Sequence, residues 1–367
     1  MPRRIRQIDF FKGVFILLMV TFHLIYIGDS YPYAKQVVYT FHMPGFLLLS
    51  GYLMKRGLPA RRFWRHVWWL FLPYAVMEAG YVVMSALLPV RQAVDQLTLP
   101  LLFDKLLLHP LGPYWYLHTL ILCLVISRVV ERCPLLWPWS ALTHRASRPL
   151  SDAAGLALSG QRASAFRGTR RFILSMVLIL LLSQYFGLVN AANGLYFMLG
   201  VLLAEGGCAP RTLLWRSWWV LLPLLLLCAW PQALHRATPA GMLIIYLVFS
   251  LLTQLHRHLP QKMAQCFEQI GRHSLPIYLF SPLFTMALKF AVPLFTFDPT
   301  GLIYCTIALS LTTVGSLLIA KLLDTLRLTP YLFGKERIVS LSPRFIKQKQ
   351  DRSGIKDDTR MARFTSR

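Results

Sequence analysis

Acidic side chains are scarce in this chain. Its 367 residues include 15 Asp and Glu against 39 Lys and Arg, for a formal net charge of +24. Only 15% of the residues are charged and 56% are hydrophobic, with a mean hydropathy of +0.50. This composition excludes an ordinary soluble domain of this length. Because several apolar runs reach the roughly 20 residues needed to cross a bilayer, the sequence predicts an all-α, polytopic integral membrane protein.

The excess of positive charge has two explanations. A soluble protein with this balance would be expected to bind nucleic acid. In a membrane protein the better explanation is the excess of Lys and Arg in cytoplasmic segments. The sequence therefore predicts the lipid bilayer as a partner and no nucleic acid, and it carries no signal for an oligomeric state.

Local motifs of metal and nucleotide chemistry are also missing. The six cysteines form no CxxC pair, which argues against a disulfide framework and against a zinc site. The predicted spans hold no HxxxH or HExxH ligand pair, and the chain has no GxSxG elbow, P-loop or GxGxxG. No metal and no permanently bound cofactor are therefore predicted.

Ten apolar runs are candidate spans, of which the sixth is short and the second carries Pro44 inside it. When the N-terminus is placed in the cytoplasm and the spans alternate, 34 of the 39 Lys and Arg fall on the cytoplasmic side. A wrong count would scramble this segregation, so the sequence predicts about ten transmembrane helices with both termini cytoplasmic. The spans lie at roughly 9–27, 37–54, 67–88, 114–130, 172–189, 193–206, 215–231, 240–256, 273–292 and 301–322.

The domain organisation follows from these spans. The basic N-terminus and first apolar run resemble a signal peptide, but no small-x-small cleavage site follows, so this run is predicted to be a retained helix. Residues 1–330 are predicted to form one transmembrane domain with a basic cytoplasmic loop at about 131–171. Residues 331–367 are polar and basic, and are predicted to be a disordered cytoplasmic tail.

The first span carries two polar residues that are costly in lipid, Lys12 and His23. They lie eleven residues apart, and at about 100° per residue this spacing returns the helix to within roughly 20° of the same face. The two side chains are then separated by roughly 16 Å along the axis. A lysine near a helix end can extend to the interface, but an intramembrane histidine is a functional candidate by default.

Further polar residues fall in the predicted outer half of other spans. His42 and His118 lie at a depth similar to that of the first histidine, which raises the hypothesis of one cluster. Trp115 shares a helical face with His118, although an aromatic belt at the membrane interface also explains it. Glu78 lies near mid-depth and needs a cation, a histidine or a proton. Tyr278 lies in the ninth span, between two prolines.

These stretches resemble the acyltransferase-3 family of bacterial membrane proteins, especially the fucose- or glucan-modifying members. The family has Arg followed eleven positions later by His, and "IDFFKGVFILLMVTFH" matches with Asp9, Gly13 and His23, while Lys12 stands where Arg is usual. "FHMPGFLLLSGYL", "YWYLHTLIL" and "IGRHSLPIYLFSPLF" are similar to three further family stretches. In the last of these, Phe280 and Ser281 replace the histidine that the family often has after the tyrosine.

The resemblance implies acyl transfer from cytoplasmic acyl-CoA, commonly acetyl-CoA, to a hydroxyl of an envelope or lipid-linked carbohydrate in the bacterial inner membrane. His23 would then be the general base, and His42 would position the acceptor or stabilise the oxyanion. Trp115 would stack on a sugar ring, with His118, Glu78 and Tyr278 as further acceptor-site candidates. The candidate cations for the CoA phosphates are Lys12, Lys55, Arg56, Arg61 and Arg62.

Two other functions fit the same sequence. A glycan-lipid transporter or flippase would carry paired broken helices and charges deep in several spans, whereas here such residues are concentrated in the first four. A catalytically degenerate membrane scaffold would tolerate loss of His23. Lys12 bears on this alternative, because lysine keeps the charge of arginine but loses its bidentate fork.

Overall fold

The computed structural model describes residues 5–87, 96–132, 153–208 and 213–339. All regular secondary structure in these ranges is helical, which confirms the predicted all-α class. The α-helices are α1 Arg6–His23, α2 Ile25–Ser30, α3 Pro32–Tyr52, α4 Ala60–Leu87, α5 Leu99–Leu107, α6 Trp115–Arg132, α7 Ala153–Phe186, α8 Ala191–Glu205, α9 Leu221–Cys228, α10 Pro239–His258, α11 Gln261–Arg272, α12 Ser274–Leu288, α13 Leu302–Thr325 and α14 Thr329–Phe333. Short 3-10 helices lie at Gly112–Tyr114, Trp218–Val220, Pro231–Ala233 and Lys289–Phe295.

Six helical segments of the described chain are long and apolar enough to cross a membrane. Helices also occupy the other four predicted positions, but α1 and α3 are too polar for that criterion, and Ala191–Glu205 and Trp218–Cys228 are too short. The count of ten and the cytoplasmic placement of both termini therefore stay predictions. The six segments are Ala60–Ala86, Leu99–Arg132, Gly168–Phe186, Pro239–His258, Ser274–Phe295 and Leu302–Thr325.

Helix α1 lies inside the bundle, where it packs against α3, α10, α11, α12 and α13. Phe10, Phe15 and Val20 along it are fully buried. An enclosed helix can carry polar residues that a lipid-facing helix cannot, because neighbouring helices rather than hydrocarbon surround them. This explains how a helix that carries Asp9, Lys12 and His23 can also be among the most buried of the predicted spans.

The first predicted span, 9–27, is not one continuous helix. Helix α1 ends at His23, and Leu24 has an extended backbone (φ −65°, ψ 110°) before α2 begins at Ile25. The Leu24 side chain is fully buried in a small cluster with Ile27 and Tyr304. No glycine or proline lies at the break, so it could not be predicted from the local sequence.

Two helix crossings depend on glycine. A Cβ added to Gly271 of α11 would lie 1.7 Å from the carbonyl oxygen of Asp9 on α1, and one added to Gly13 would lie 2.0 Å from that of Phe267. The same arrangement joins α3 and α8, where a Cβ on Gly51 would lie 2.0 Å from another backbone carbonyl oxygen. Small residues let helix backbones approach this closely.

The predicted cytoplasmic segments are only partly within the described chain. Helix α7 begins at Ala153, so the last part of the predicted 131–171 loop is helical, while residues 133–152 lie outside the described ranges. In the predicted tail, the backbone N–H groups of Ile338 and Val339 each donate to Asp324, at 2.9 Å. Ordered structure therefore continues past residue 331, and residues 340–367 lie outside the described ranges.

Candidate functional site

Two cavities meet at His23. The histidine cavity is lined by residues of α1, α3, α6 and α12, together with Pro113 and Arg236, and holds about 390 Å³ of empty space. The side cavity runs along α12 and holds about 1000 Å³, its open mouth included. Both cavities are lined by Met19, His23, Tyr39 and Pro113. His23 is therefore accessible from two directions.

His23 and His42 are held in the same way. The Nδ1 atom of each ring lies 2.7 Å from a backbone carbonyl oxygen one turn earlier, that of Met19 for His23 and that of Val38 for His42. Because a carbonyl oxygen only accepts, Nδ1 is the protonated nitrogen of the neutral ring and Nε2 keeps its lone pair. The Nε2 of His42 is buried, with no hydrogen-bond partner among the described residues.

Tyr39 connects the two histidines. Its ring centroid lies 6.1 Å from that of His23 and 5.1 Å from that of His42. The Tyr39 hydroxyl donates to the carbonyl oxygen of Phe22, at 3.4 Å. Sequence reasoning missed this residue, although a signal existed: Tyr39 precedes His42 by three positions and so shares its helical face.

Two predicted acceptor-site residues also line the histidine cavity. Trp115 begins α6, and the guanidinium carbon of Arg236 lies 5.9 Å from its ring centroid. Tyr278 of α12 donates its hydroxyl proton to the Pro113 carbonyl oxygen, at 2.5 Å. Arg236 was not predicted, because it lies in the connection before α10 and only tertiary folding brings it here.

His118 does not join the other two histidines. Its Nε2 lies 2.9 Å from the carbonyl oxygen of Leu107, and its ring packs at a centroid distance of 6.1 Å from Tyr74. It is absent from the linings of the histidine cavity and the side cavity. The structure therefore brings together two of the three histidines that the sequence placed at one depth.

Glu78 is fully buried and supports the segment of residues 111–114, which includes the cavity-lining Pro113. It accepts a hydrogen bond from the backbone N–H of Leu111, at 2.5 Å. It lies outside both cavity linings. The same segment is fixed at Tyr114, whose hydroxyl donates to the Leu279 carbonyl oxygen at 2.8 Å. Glu78 thus holds the segment that supplies Pro113, instead of contacting a histidine.

We expect Glu78→Ala to lower the free energy of unfolding by about 1–3 kcal/mol, because the N–H of the half-buried Leu111 loses its acceptor. Glu78→Gln keeps an acceptor oxygen and is expected to cost much less. The unfolding midpoint of the purified protein in detergent measures both changes. Equal losses in the two variants would show that the negative charge, not the hydrogen bond to Leu111, is what matters.

The predicted CoA-binding cations do not come together in one cavity. Lys55, Arg61 and Arg62 are exposed, and Lys12 is half-buried on α1. Arg56 forms an ion pair with Glu205, with 2.7 Å between nitrogen and oxygen. None of these five cations lines the cavities at His23.

A third cavity, which we call the basic cavity, lies at the opposite end of α1 from His23. Three arginines line it, Arg6, Arg216 and Arg257, and its empty space is about 1310 Å³ with the open mouth included. The buried Glu268 carboxylate accepts from Arg6 at 2.9 Å and lies 3.0 Å from Nε2 of His256. Sequence reasoning missed this group, because its arginines lie more than 200 positions apart at the extremes.

The described helices and these cavities define a multi-pass membrane protein with a histidine pair enclosed near one end of the bundle. A family model described as an acyltransferase domain, that of the acyltransferase-3 family, matches residues 5–321. The chain belongs to the acyltransferase-3 family, and is a membrane acyltransferase. Searches of curated proteins and of solved structures gave no match.

Proposed function

We propose that this protein is a bacterial inner-membrane O-acyltransferase. It transfers an acyl group from cytoplasmic acyl-CoA to a hydroxyl of an envelope or lipid-linked carbohydrate. The proposed acyl group is acetyl. The observation that supports this most directly is the pair His23 and His42, which line one cavity, each with Nδ1 tied to a carbonyl oxygen and Nε2 able to accept a proton.

His23 is the proposed general base, because it lines both cavities and can meet an acceptor in one and a donor in the other. Its Nε2 takes the proton of the acceptor hydroxyl, and the hydroxyl oxygen attacks the thioester carbonyl carbon. The new C–O ester bond forms as the C–S bond breaks. The proton then passes from the imidazolium to the departing sulfur, which leaves as the CoA thiol.

His42 is proposed to position the acceptor. Its Nδ1–H is already donated to the Val38 carbonyl oxygen, so the neutral ring offers an acceptor and not a donor at Nε2. An oxyanion needs a donor, whereas a sugar hydroxyl is itself a donor. The tautomer therefore favours contact with a second hydroxyl of the acceptor over stabilisation of the oxyanion.

The basic cavity is the proposed binding site for the phosphates of CoA. In the predicted orientation it opens at the cytoplasmic end of α1, and arginine forms bidentate hydrogen bonds with phosphate. Lys12 lies on α1 between this cavity and His23. In this arrangement the acyl arm of the donor extends along α1. Lys55, Arg56, Arg61 and Arg62 would then supply positive charge outside the basic cavity, since none of them lines it.

The test is acyl transfer in reconstituted vesicles. Purified protein is supplied with acetyl-CoA carrying a labelled acetyl group and with a glycolipid and polysaccharide extract as acceptor. We expect label in the carbohydrate fraction, and we expect mild alkali to release this label, as it does from an ester. Vesicles without protein should give no labelled carbohydrate. Label that never enters this fraction, together with movement of fluorescent glycolipid between leaflets, would favour the flippase instead.

A further inference from the structure

The few cations on the predicted outer side are concentrated at the cavities. Only five of the 39 Lys and Arg are predicted there. Arg236 lines the histidine cavity, and Lys35 and Lys289 line the side cavity. Lys105 lines neither, and Arg91 lies outside the described residues. Three of the four described cations of this group therefore line the two cavities that meet at His23.

Two of these cations pack against aromatic rings that line the histidine cavity, those of Tyr39 and Trp115. The Lys35 ammonium is 5.7 Å from the ring centroid of Tyr39, the residue that connects the pair. The Arg236 guanidinium packs over Trp115, and its own carbonyl oxygen accepts the Tyr196 hydroxyl, which fixes the backbone of the segment. Both cations are therefore held at the cavities by defined contacts.

The linings offer these cations no carboxylate. Within the described part of the chain, no Asp or Glu lines either cavity. A cation–π contact contributes only about 0.5–1 kcal/mol at exposed sites and about 2 when desolvated. Arg236 and Lys35 are half-buried, and burial lowers the pKa of Arg236 from its ordinary value. A bound anion would replace the hydration that these groups have lost.

We propose that the acceptor is an anionic carbohydrate, whose carboxylate or phosphate is held by Arg236 and Lys35 while its hydroxyl reaches His23. This inference rests on the proposed function and specifies its acceptor. A guanidinium fork matches the geometry of either anion, and Lys35 adds a second charge from the side cavity. A neutral sugar of the same shape would leave both cations without a counter-charge.

The experiment uses three small sugars that share one glucose ring and differ in the group at carbon 6: methyl glucuronoside with a carboxylate, methyl glucoside 6-phosphate with a phosphate, and methyl glucoside with a neutral hydroxyl. Each is tested for protection of His23 in the purified full-length protein against diethyl pyrocarbonate, with peptide mass spectrometry as the measurement. We expect either anionic sugar to protect at concentrations at least about tenfold below the neutral one, as one charge-assisted contact requires. Which of the two anions protects better distinguishes a uronic acid from a sugar phosphate.

Variants show which residues cause the preference for anionic sugars. Arg236→Gln is expected to abolish the preference for anionic sugars, and Lys35→Gln to weaken it. Lys105→Gln is the matched control, because Lys105 is also predicted on the outer side but pairs with Asp104 at 3.3 Å and lines neither cavity. Equal protection by all three sugars, protection by none, or an unchanged preference in Arg236→Gln would overturn the inference. Failure of acyl transfer with anion protection intact would instead count against the proposed function.

Discussion

His23→Asn is expected to lower the kcat of acyl transfer by about 10²–10⁴-fold, the usual contribution of a general base. The asparagine amide can still donate a hydrogen bond towards the Met19 carbonyl oxygen, so the end of α1 keeps its local support. The unfolding midpoint should therefore change little. The rate is measured with labelled acetyl-CoA on protein whose folding has been checked by its unfolding midpoint.

His118→Asn is the matched control for this prediction. His118 is also a largely buried histidine bonded to a carbonyl oxygen, but it is absent from both cavity linings. We expect it to keep near wild-type kcat even where its stability falls. Comparable rate losses in the two variants would contradict the assignment of the base.

Added imidazole provides a separate readout. It should restore part of the activity of His23→Asn, because a small base can occupy the vacated space beside the acceptor hydroxyl. A histidine with only a structural role would show no such recovery. If His42→Asn alone responded to imidazole, the roles of the two histidines would be exchanged, since the Nε2 of His42 is also free to accept.

The sequence predicted the polar interior of the bundle better than its lateral arrangement. Helical periodicity predicts the depth of a residue in the membrane and the helix face on which it lies. The similar depth of His23 and His42 could therefore be predicted from the sequence, whereas their shared cavity could not. Periodicity does not give neighbours. His118 has the same depth, but it is turned towards Leu107, the last residue of α5, which the sequence did not identify as a separate helix.

Residues from connections between helices were the least predictable part of the site. Arg236 enters the histidine cavity because Tyr196 and Trp115, from two different helices, hold its backbone and its side chain. The basic cavity likewise combines Arg6 with Arg257 across most of the chain. Charge counting placed each of these residues on a side of the membrane, but only tertiary packing shows which of them meet.

Gly271→Ala is expected to destabilise the protein by about 3 kcal/mol or more, at or beyond the upper end of usual overpacking. The added Cβ would lie 1.7 Å from the Asp9 carbonyl oxygen and close to the backbone nitrogen of Gly13. Both are main-chain atoms and have no rotamer by which to move aside. Helices α1 and α11 must therefore separate, and the van der Waals contacts between them are lost.

Gly80→Ala is the control that separates crowding from the substitution itself. Gly80 lies within α4, and a Cβ there would meet no heavy atom within 4 Å. Because alanine is the better helix former by about 1 kcal/mol, this variant should be as stable as the wild type or slightly more so. Unfolding midpoints in the same detergent compare the two. Equal midpoints would show that the crossing can open at little cost.

Separation of α1 from α11 should also lower the rate of acyl transfer. Glu268 of α11 accepts a hydrogen bond from Arg6, the first residue of α1. His23 is the last residue of the same α1 helix. A misplacement of about 1 Å at a reacting group can cost about 10²-fold in rate. Any folded fraction of Gly271→Ala should therefore show a lower kcat than Gly80→Ala under identical conditions. An unchanged kcat in that fraction would mean that α3 and α12 alone hold His23 in place.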